Sequence, residues 1–491
     1  MTTDAAQTGR LTDATLAVLP ALERWLEFTD VAGPARRQDS WRAVLDAPLP
    51  DKGAGAEVTL TELADWIVPN GLPVGAPRFT GFITTGPSTV PAVAQFAAAL
   101  ASPQRYAVSA FNLLEDVSLR WLAEACGLDE PVAGVYSSGG SVANLLALGA
   151  ARQAAFERLG VDVGRDGLPP GVRGRIYAGS EAHHTIQRAA AVLGLGRDAV
   201  RSVPVDGSQR IRVDRLAETI AADVAAGELP VAIVGVAGTT NTGAIDPLNA
   251  LADVAERYGT WLHIDGAYGL PAAGVDELAE RFVGSRRAQS WIVDPHKWLA
   301  TGVGCAATYV RDPQLLHRTF TQTPAAYLAM PGHGAVASPF EEFGVHYDDM
   351  GVELSAPPRG VLVWAVLREI GREGLHERIR RHVGYARRLT ELARSHPRLE
   401  ALTEPDLSVA CLRYRPARPV GDGRLDELNE ELLRRLWRTT GHIPTSTVVD
   451  GRFAIRPCFI GVRVGDDDVV ALADRVVELG DALAEETAGI D

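Results

Sequence analysis

The stretch SWIVDPHKWLATG, from Ser290 to Gly302, joins an apolar run to a lysine. Its first residues are typical of a buried strand, and the chain then turns polar and places Lys297 between His296 and Trp298. A lysine at the end of a strand is either an exposed surface charge or an amine that its surroundings partly desolvate. Desolvation disfavours the ammonium form, and the neutral amine can form a Schiff base with an aldehyde. The neighbouring segments must show which environment surrounds this lysine.

Short apolar runs alternate with longer segments of helical spacing from about residue 130 to about residue 310. The runs predicted to form strands are VAGVYSSGGS, GRIYAGS, PVAIVGVAGTT, TWLHIDGAYG, SWIVDPHKW and GCAATYVRD. The segments predicted to form helices between them are VANLLALGAARQAAFERLG, AHHTIQRAAAVLG and PLNALADVAERYG. This alternation predicts an α/β fold with a central, mostly parallel sheet that helices cover on both faces.

Two regions flank this α/β segment. TLAVLPALERWLEF, Thr15 to Phe28, has helical spacing, and from about Gly371 amphipathic helices surround the strands SVACLRYRP and RFAIRPCFIGVRV. We therefore expect an N-terminal helical segment (1–95), a large α/β domain (96–370) and a smaller C-terminal α+β domain (371–491). Within the large domain, MPGHGAVASPFEEFGVHYDDMG is long for a loop, which is typical of a functional lid.

The composition limits the classes of protein to which the chain can belong. With 46% hydrophobic and 22% charged residues over 491 positions, it has the make-up of a soluble globular protein. Its net charge of −14 argues against nucleic acid as a partner, because neutralising phosphates requires a basic surface. The four cysteines are far apart and predict neither disulfides nor a metal site. The chain shows no signal peptide and no apolar run of membrane-spanning length, so we expect a cytoplasmic protein without membrane contact.

Residues able to carry out chemistry follow the predicted strands, where the ligands of parallel α/β sheets bind. SSGGS, Ser137 to Ser141, joins a strand to a helix. Its glycines would let the backbone approach a ligand closely, and the N-terminus of the helix would attract an anion. By itself, this segment is also compatible with a tight turn that ends in a serine cap.

Three more such residues follow other strands, namely His183 in SEAHHT, Asp265 in HIDGAYG, and Lys297. An imidazole can lie flat on an aromatic cofactor, although a polar residue at the start of a helix needs no such role. An ionised carboxylate at the end of an apolar strand costs several kcal/mol unless it is paired. Asp265 is therefore either a cap for the next segment or the partner of a cationic ring nitrogen.

The order of these four features along the chain has one economical explanation, which is the cofactor pyridoxal 5′-phosphate. Its phosphate needs an anion cradle, its ring a stacking face, its pyridinium nitrogen an acidic partner and its aldehyde an amine. The segments that follow the predicted strands would supply these four groups in that order.

The chain resembles the group II pyridoxal-phosphate-dependent decarboxylases, the family that includes aromatic amino acid, glutamate, histidine and diaminobutyrate decarboxylases. The matching motifs, in order along the chain, are SSGGSVAN, SEAHHT, GTTNTGAIDP, WLHIDGAYG and DPHKW. The resemblance extends from about Pro77 to the C-terminus. It implies a fold-type I (aspartate aminotransferase-like) enzyme that forms a homodimer, with the active site at the subunit interface and the N-terminal segment packed on the partner.

The resemblance also implies a role for each residue that matches these motifs. Lys297 would hold the cofactor as a Schiff base, and Asp265 would keep the pyridine nitrogen protonated. Ala267 would lie under the ring and His183 would stack over it. The residues that would bind the phosphate are Ser138, Gly139, Gly140, Ser141 and His296.

Three further matches lie near the ring hydroxyl and the substrate. Thr240, in GTT, would lie near the ring hydroxyl, and Arg456, in AIRPCF, would lie at the edge of the active site where the substrate binds. Counting back from Trp364 without gaps places Tyr347 on a mobile-loop tyrosine that assists reprotonation of the substrate carbon in decarboxylating members. Members with phenylalanine at that position tend to make aldehydes instead.

The expected reaction is therefore decarboxylation of a small-molecule L-amino acid to the amine and CO2, through the Lys297 Schiff base and a quinonoid intermediate. Alternatives with the same cofactor are decarboxylation-dependent oxidative deamination to an aldehyde and other carbon–carbon or carbon–sulfur lyase reactions. An inactive binding protein is disfavoured because Lys297, Asp265 and His183 are all present. The substrate is left open, because APRFTGFITTG has Thr80 and Ile83 where aromatic residues are common in the family.

Overall fold

The computed structural model describes residues 11–101, 110–128, 132–321, 345 and 347–488. The strands in these ranges are β1 (Phe79–Thr80), β2 (Ala133–Ser137), β3 (Gly174–Gly179), β4 (Val200–Val203), β5 (Leu229–Val236), β6 (Trp261–Asp265), β7 (Ser290–Val293), β8 (Ala306–Val310), β9 (Leu399–Ala401), β10 (Leu412–Tyr414), β11 (Ile443–Val449) and β12 (Arg452–Arg456). The α-helices are Leu11–Leu26, Gly33–Arg36, Gln38–Leu45, Ala56–Glu62, Thr89–Ala101, Ala110–Ala125, Gly140–Glu157, Val163–Asp166, Thr185–Val192, Val213–Ala225, Leu248–Tyr258, Asp276–Ala279, Pro313–Phe320, Gly360–Ser395, Asp422–Arg435 and Asp466–Ala488. Turns of 3-10 helix lie at Val68–Asn70, Arg197–Ala199, Leu270–Gly274, Glu280–Arg287 and Tyr347–Met350, and π-helical turns lie at Leu63–Ile67 and Leu436–Thr440.

The larger sheet has seven strands in the order β2-β8-β7-β6-β5-β3-β4. The strands β3 to β7 pair in parallel with one another, whereas β8 is antiparallel to both of its neighbours, β7 and β2. The strand β2 therefore runs in the same direction as β3 to β7, and the carboxyl ends of all these strands meet at one edge. This architecture confirms the predicted α/β fold with a mostly parallel sheet.

The six predicted strands all form, as β2, β3, β5, β6, β7 and β8. The central strand β5 is an almost uninterrupted apolar run whose last six residues are buried, as expected for a strand covered on both faces. The apolar pattern does not predict β4, because this strand is short, lies at the edge of the sheet and carries the charged Arg201. The helix Gly140–Glu157 begins just after β2, so its N-terminus lies at the carboxyl edge of the sheet.

A second sheet combines the early strand β1 with four strands from the C-terminal part of the chain, in the order β1-β11-β12-β10-β9. The strand β1 pairs in parallel with β11, with Phe79 opposite Ile443. The residues that follow β1 are thereby brought beside C-terminal strands. The long helix Gly360–Ser395 is interrupted at Gly371, where φ is 66°. The division into three units stays a prediction, since the second sheet draws on both ends of the chain.

Trp298, which follows Lys297, is fully buried in the main hydrophobic core. Its indole N–H donates to Nδ1 of His382 at 3.2 Å, and its ring centroid lies 4.7 Å from that of Tyr268. The guanidinium of Arg378, on the same helix as His382, donates to the Trp298 carbonyl at 3.2 Å. The indole therefore anchors the segment after β7 to the long helix, which holds the backbone of Lys297 at the sheet edge.

Two buried histidines predict how the stability of the fold depends on pH. Burial lowers the pKa of His263 to about 4 and that of His382 to about 3, from an ordinary value of 6.5. Above pH 6.5 both imidazoles are neutral in the folded and the unfolded chain, but below it only the unfolded chain takes up protons. The free energy of unfolding should therefore fall by ~1.4 kcal/mol per pH unit for each histidine as the pH drops from about 6.5 to about 4.

Urea unfolding of the wild type and of His382→Gln over this pH interval checks this dependence. The variant keeps an acceptor for the indole of Trp298 but removes one of the two titrating imidazoles. Its free energy of unfolding should therefore decline less steeply with falling pH, while the carboxylates common to both proteins contribute equally. If the free energy of unfolding fell with pH equally steeply in both proteins, the lowered pKa of His382 would be contradicted.

Candidate active site

A cavity of about 780 Å³ lies at the carboxyl edge of the larger sheet and is also bordered by the second sheet. The residues predicted for the site that line it are Ser138, Gly139, Gly140, Ser141, His183, Thr240, Asp265, Ala267, His296, Lys297 and Arg456. All of them except Arg456, which lies on β12 of the second sheet, come together because β2, β3, β5, β6 and β7 run in one direction, so that the segments following them meet. Only Tyr347, among the predicted residues, is not one of the described residues that line the cavity.

Lys297 is a largely desolvated amine, with 18% of its side chain exposed. Its Nζ lies 3.1 Å from Oδ2 of Asp294, whose carboxylate is itself buried. His296 places Nε2 3.6 Å from the same oxygen, and its Nδ1 lies 2.6 Å from the carbonyl of Cys305, to which it donates. Of the two environments considered for this lysine, the structure therefore shows the partly buried one, beside a carboxylate that sequence reasoning did not single out.

The glycine-rich turn after β2 has the shape of an anion cradle. Gly139 has φ 155°, and a Cβ on Gly140 would lie 2.8 Å from Oδ2 of Asp294, so neither position suits a side chain. The helix that begins at Gly140 presents its first N–H groups without helical acceptors, and its positive end favours an anion. Ser137 has a buried hydroxyl that makes no hydrogen bond to any described group. These features fit the phosphate of the predicted cofactor.

The carboxylate of Asp265 is buried at the end of β6, with the residue 5% exposed. Its Oδ2 accepts a hydrogen bond from Nδ2 of Asn144 at 3.1 Å, and its Oδ1 accepts one from the backbone N–H of Ala267 at 3.3 Å. Both contacts hold the carboxylate in place. This geometry suits a partner for a cationic ring nitrogen.

His183 lies on the cavity wall, half-buried, with Nδ1 2.9 Å from Oγ1 of Thr185. Burial lowers the pKa of His183 below 6.5, and the nearby Asp265 opposes that shift. The imidazole is therefore neutral at pH 7 and can stack on an aromatic ring without bringing a charge.

Arg456, on β12, is a buried guanidinium that faces the cavity without a carboxylate partner among the described residues. Its donors bind the backbone carbonyls of Asn241 at 3.1 Å, Phe82 at 2.9 Å and Thr240, and also the hydroxyl of Thr445 at 3.3 Å. These bonds connect the second sheet to the segment after β5 and to the segment after β1. The positive charge of Arg456 remains available to an anionic group in the cavity.

The residues that line the cavity include the apolar side chains of Phe82, Ile83, Val303 and Trp437. Phe82 has φ 57°, and its N–H donates to Oγ1 of Thr445 at 3.3 Å, which fixes it beside the second sheet. Sequence reasoning flags the stretch that contains Phe82 and Ile83, but it misses Val303 and Trp437. Since these residues come from separate segments, only the fold brings them together.

Tyr347 is not among the described residues that line the cavity, and its role at the site stays a prediction. Tyr347 is 3% exposed and belongs to the main hydrophobic core, in the 3-10 turn that also contains the buried Met350. Counting residues back from Trp364 assumes a fixed loop length, and loop lengths vary freely between relatives. Residues 330–344 of the predicted lid lie outside the described ranges.

Three comparisons place the chain among known proteins. Residues 40–415 match the family model of the pyridoxal-dependent decarboxylase conserved domain. Tryptophan decarboxylase 1 of Oryza sativa subsp. japonica is 32% identical over 445 residues, covering 86% of this chain and 83% of that protein. Phenylacetaldehyde synthase of a Rosa hybrid cultivar is 30% identical over 311 residues, covering 62% of this chain and 60% of that protein. The crystal structure of Oryza sativa TDC with PLP and tryptamine has a TM-score of 0.85 at 27% identity, covering 96% of this chain and 99% of that one.

The burial of Tyr347 predicts the outcome of Tyr347→Phe. The variant should keep kcat and the ratio of products within about twofold of the wild type, because the hydroxyl lies in the core. Loss of its contacts there should lower the free energy of unfolding by ~1 kcal/mol. Steady-state assays with product analysis, combined with urea unfolding, check both statements. A shift from amine to aldehyde, or a tenfold loss of kcat at unchanged stability, would show that Tyr347 acts at the site.

Proposed function

This chain belongs to the pyridoxal-dependent decarboxylase family, and from that premise we propose that it decarboxylates an aromatic L-amino acid to the amine and CO2. The family makes it a lyase whose cofactor is pyridoxal 5′-phosphate. The observation that carries the proposal is the partly desolvated Lys297 in one cavity with the buried Asp265.

The residues of the cavity match the parts of the cofactor one by one. The cradle at Gly139 and Gly140 would hold the phosphate, and Asp265 would face the ring nitrogen. His183 and Ala267 would lie against the ring, and Lys297 would bond to the aldehyde. Once bound, the cofactor supplies an electron-accepting ring that stabilises the carbanion left when CO2 departs.

The charges of this chain would orient the substrate. Arg456 is a buried cation that lines the cavity and has no acidic partner among the described side chains, so it would attract the substrate carboxylate. Lys297, released by the substrate amine, would stay within reach of Asp294, whose Oδ2 lies 3.1 Å from its Nζ. The substrate would thereby be held at its carboxylate while its amine replaces Lys297.

His183 is the residue that would return a proton to the substrate carbon. With Tyr347 buried in the core, His183 is a titratable side chain on the cavity wall that the cofactor does not bond covalently. Because burial lowers its pKa below 6.5, only a minor fraction of His183 is protonated at pH 7, but that fraction is a stronger acid than ordinary imidazolium. General acid catalysis at this carbon would favour the amine over the aldehyde.

The walls of the cavity favour an aromatic side chain over an acidic one. Phe82, Ile83, Val303 and Trp437 contribute apolar groups to its lining, and such groups favour an aromatic side chain. The Lys and Arg residues among the described lining side chains are Lys297 and Arg456, and both already have roles. A second carboxylate on the substrate would therefore find no cation in these parts of the chain.

The assembly is part of the same proposal. Helix Leu11–Leu26 exposes Leu16 and Leu19, and helix Thr89–Ala101 exposes Val93 and Phe96, each by 39% to 61%. Exposed apolar side chains on a helix are typical of an interface, and we infer that a second copy of the chain covers them in a homodimer. In the described ranges no helix is long and apolar enough to cross a membrane. The cytoplasmic location expected from the sequence likewise remains a proposal.

The substrate assignment can be tested by incubating the holoenzyme with each of the twenty common amino acids. We expect CO2 and the corresponding amine from an aromatic amino acid, with kcat/KM for glutamate and aspartate at least ~100-fold lower, since an unpaired buried charge costs several kcal/mol. Measuring ammonia, peroxide and aldehyde in the same reactions distinguishes the oxidative alternative. No CO2 from any amino acid, or an acidic amino acid as the best substrate, would contradict the proposal.

Three variants extend this test, one at the cavity wall and two as controls. Trp437→Ala should raise KM for the aromatic substrate about tenfold, because a lost aromatic contact is worth ~1–1.5 kcal/mol. Trp121→Ala removes a partly buried indole that packs on the core away from the cavity, and it should leave KM unchanged. Lys297→Ala should abolish both the visible absorption of the bound cofactor and CO2 release.

A further inference from the structure

A buried row of polar side chains leads from the cavity into the larger sheet. It consists of Trp261, Ser290, His263 and Asn144, and we refer to these four residues as the polar chain. Ser290 and His263 are fully buried, Asn144 is 2% exposed and Trp261 is 8% exposed. None of them can exchange a missing hydrogen bond for one with bulk water, so each has to be satisfied within the protein.

We propose that Asn144 is a positioning residue that fixes the Asp265 carboxylate and the tautomer of His183 at the same time. The rest of the polar chain sets the orientation of the Asn144 amide. This inference rests on the roles given above to Asp265 and His183 in the proposed function.

The contacts along the polar chain are continuous. The indole N–H of Trp261 donates to Oγ of Ser290 at 2.8 Å, and this oxygen lies 2.9 Å from Nδ1 of His263. The other nitrogen of that imidazole, Nε2, lies 2.8 Å from Oδ1 of Asn144. Nδ2 of Asn144 lies 3.1 Å from Oδ2 of Asp265.

The strands explain why these residues meet. Trp261, His263 and Asp265 alternate along β6, so their side chains share one face of the sheet. Ser290 lies directly opposite His263 in the parallel pairing of β6 with β7. Asn144 lies in the first turns of the helix after β2, which packs on this face. The sequence signature is therefore a tryptophan, a histidine and the aspartate at alternate positions.

The hydrogen bonds of the polar chain can run in one direction only. The carboxylate of Asp265 accepts, so the amide nitrogen of Asn144 faces it and donates, and the amide oxygen Oδ1 faces Nε2 of His263. That oxygen can only accept, so His263 carries its hydrogen on Nε2. Because burial keeps this imidazole neutral, its Nδ1 accepts from the hydroxyl of Ser290, which in turn accepts from the indole N–H of Trp261.

The second N–H of Asn144 extends the arrangement to His183. Nδ2 of Asn144 lies 3.3 Å from Oγ1 of Thr185, which in turn lies 2.9 Å from Nδ1 of His183. The backbone N–H of Thr185 also points at this nitrogen, at 3.4 Å. Nδ1 of His183 therefore accepts, and the neutral ring carries its hydrogen on Nε2. The Asn144 amide thus holds the acidic partner of the cofactor ring, and it also engages the Thr185 hydroxyl, so that the hydrogen of this hydroxyl can turn to Nδ1 of His183.

Nitrogen-15 NMR of the histidine-labelled apoenzyme tests the direction without any substitution. Long-range ¹H–¹⁵N correlations distinguish Nδ1–H from Nε2–H imidazoles, and the variants His263→Gln and His183→Gln assign the two signals. We expect both rings as the neutral Nε2–H tautomer at about pH 8, with His263 still neutral at about pH 5.5 because burial lowers its pKa to about 4. A Nδ1–H tautomer at either residue would overturn the proposal.

Ser290→Ala tests whether the polar chain affects the cofactor from a distance. Ser290 does not line the cavity, and its loss should release His263 into a mixture of tautomers and raise the dissociation constant of pyridoxal 5′-phosphate about tenfold. Equilibrium titration of the apoenzyme, followed by absorption, measures that constant. The matched control is Ser118→Ala, because Ser118 is also fully buried and its Oγ accepts from the hydroxyl of Tyr136 at 3.0 Å. The Ser118→Ala variant should lose about as much stability as Ser290→Ala does, but its dissociation constant for pyridoxal 5′-phosphate should stay within twofold of the wild type.

The outcomes separate this inference from the proposed function. An unchanged dissociation constant in Ser290→Ala, or an equal rise in Ser118→Ala, would overturn the inference while leaving the decarboxylase intact. A wild-type apoenzyme that binds no pyridoxal 5′-phosphate would overturn the proposed function. In that case the NMR measurement of the two histidine tautomers would still test the direction of the hydrogen bonds in the polar chain. If Ser290→Ala fails to fold, the wild-type NMR measurement decides the question alone.

Discussion

The burial of one carboxylate, that of Asp265, is the constraint on which the site depends. An ionised group at the end of an apolar strand is stable only when polar partners replace the water it has lost. Asn144 and the backbone of Ala267 supply those partners from within the protein, and a cationic ring nitrogen would complete them from the cavity. Because Asn144 comes from a helix and Asp265 from a strand, the whole sheet edge has to assemble before this carboxylate can be buried.

The cavity has a positive end and a negative end. The N-terminus of the helix after β2 and its glycines form a positive end, whereas Asp265 lies at a strand end farther along the sheet. A flat molecule with an anionic phosphate and a cationic nitrogen matches that distribution better than a uniformly charged ligand does. Asp294 reduces the positive field of the cradle, and it does so within 3.1 Å of the Lys297 ammonium group that it neutralises.

The fold and the cofactor residues could be predicted because each is marked by a pattern in a short stretch of sequence. Lys297, Asp265, His183 and the glycine-rich turn each follow an apolar run, and parallel strands bring such segments to one edge. The strand β4 could not be predicted, since an edge strand needs no continuous apolar pattern.

The substrate wall and the supporting contacts could not be predicted in the same way. Trp437 and Phe82 reach the cavity only through the second sheet, which pairs strands more than 360 positions apart along the chain. Asn144 stands in a recognised motif, but its function depends on hydrogen-bond partners on two other segments. The role of Tyr347 rests on counting along a loop, and it stays a prediction because packing, not counting, decides where the ring of Tyr347 lies.

The substitution Asp265→Asn tests the central claim most directly, because asparagine has nearly the same shape as aspartate but carries no charge. Apoenzyme of the variant and of the wild type would be titrated with pyridoxal 5′-phosphate, and CO2 release would be measured at saturating cofactor. If the buried charge stabilises the cofactor ring, kcat should fall by at least ~100-fold, and the loss should persist when the cofactor site is full. A variant that binds the cofactor and keeps kcat within about threefold of the wild type would contradict the account.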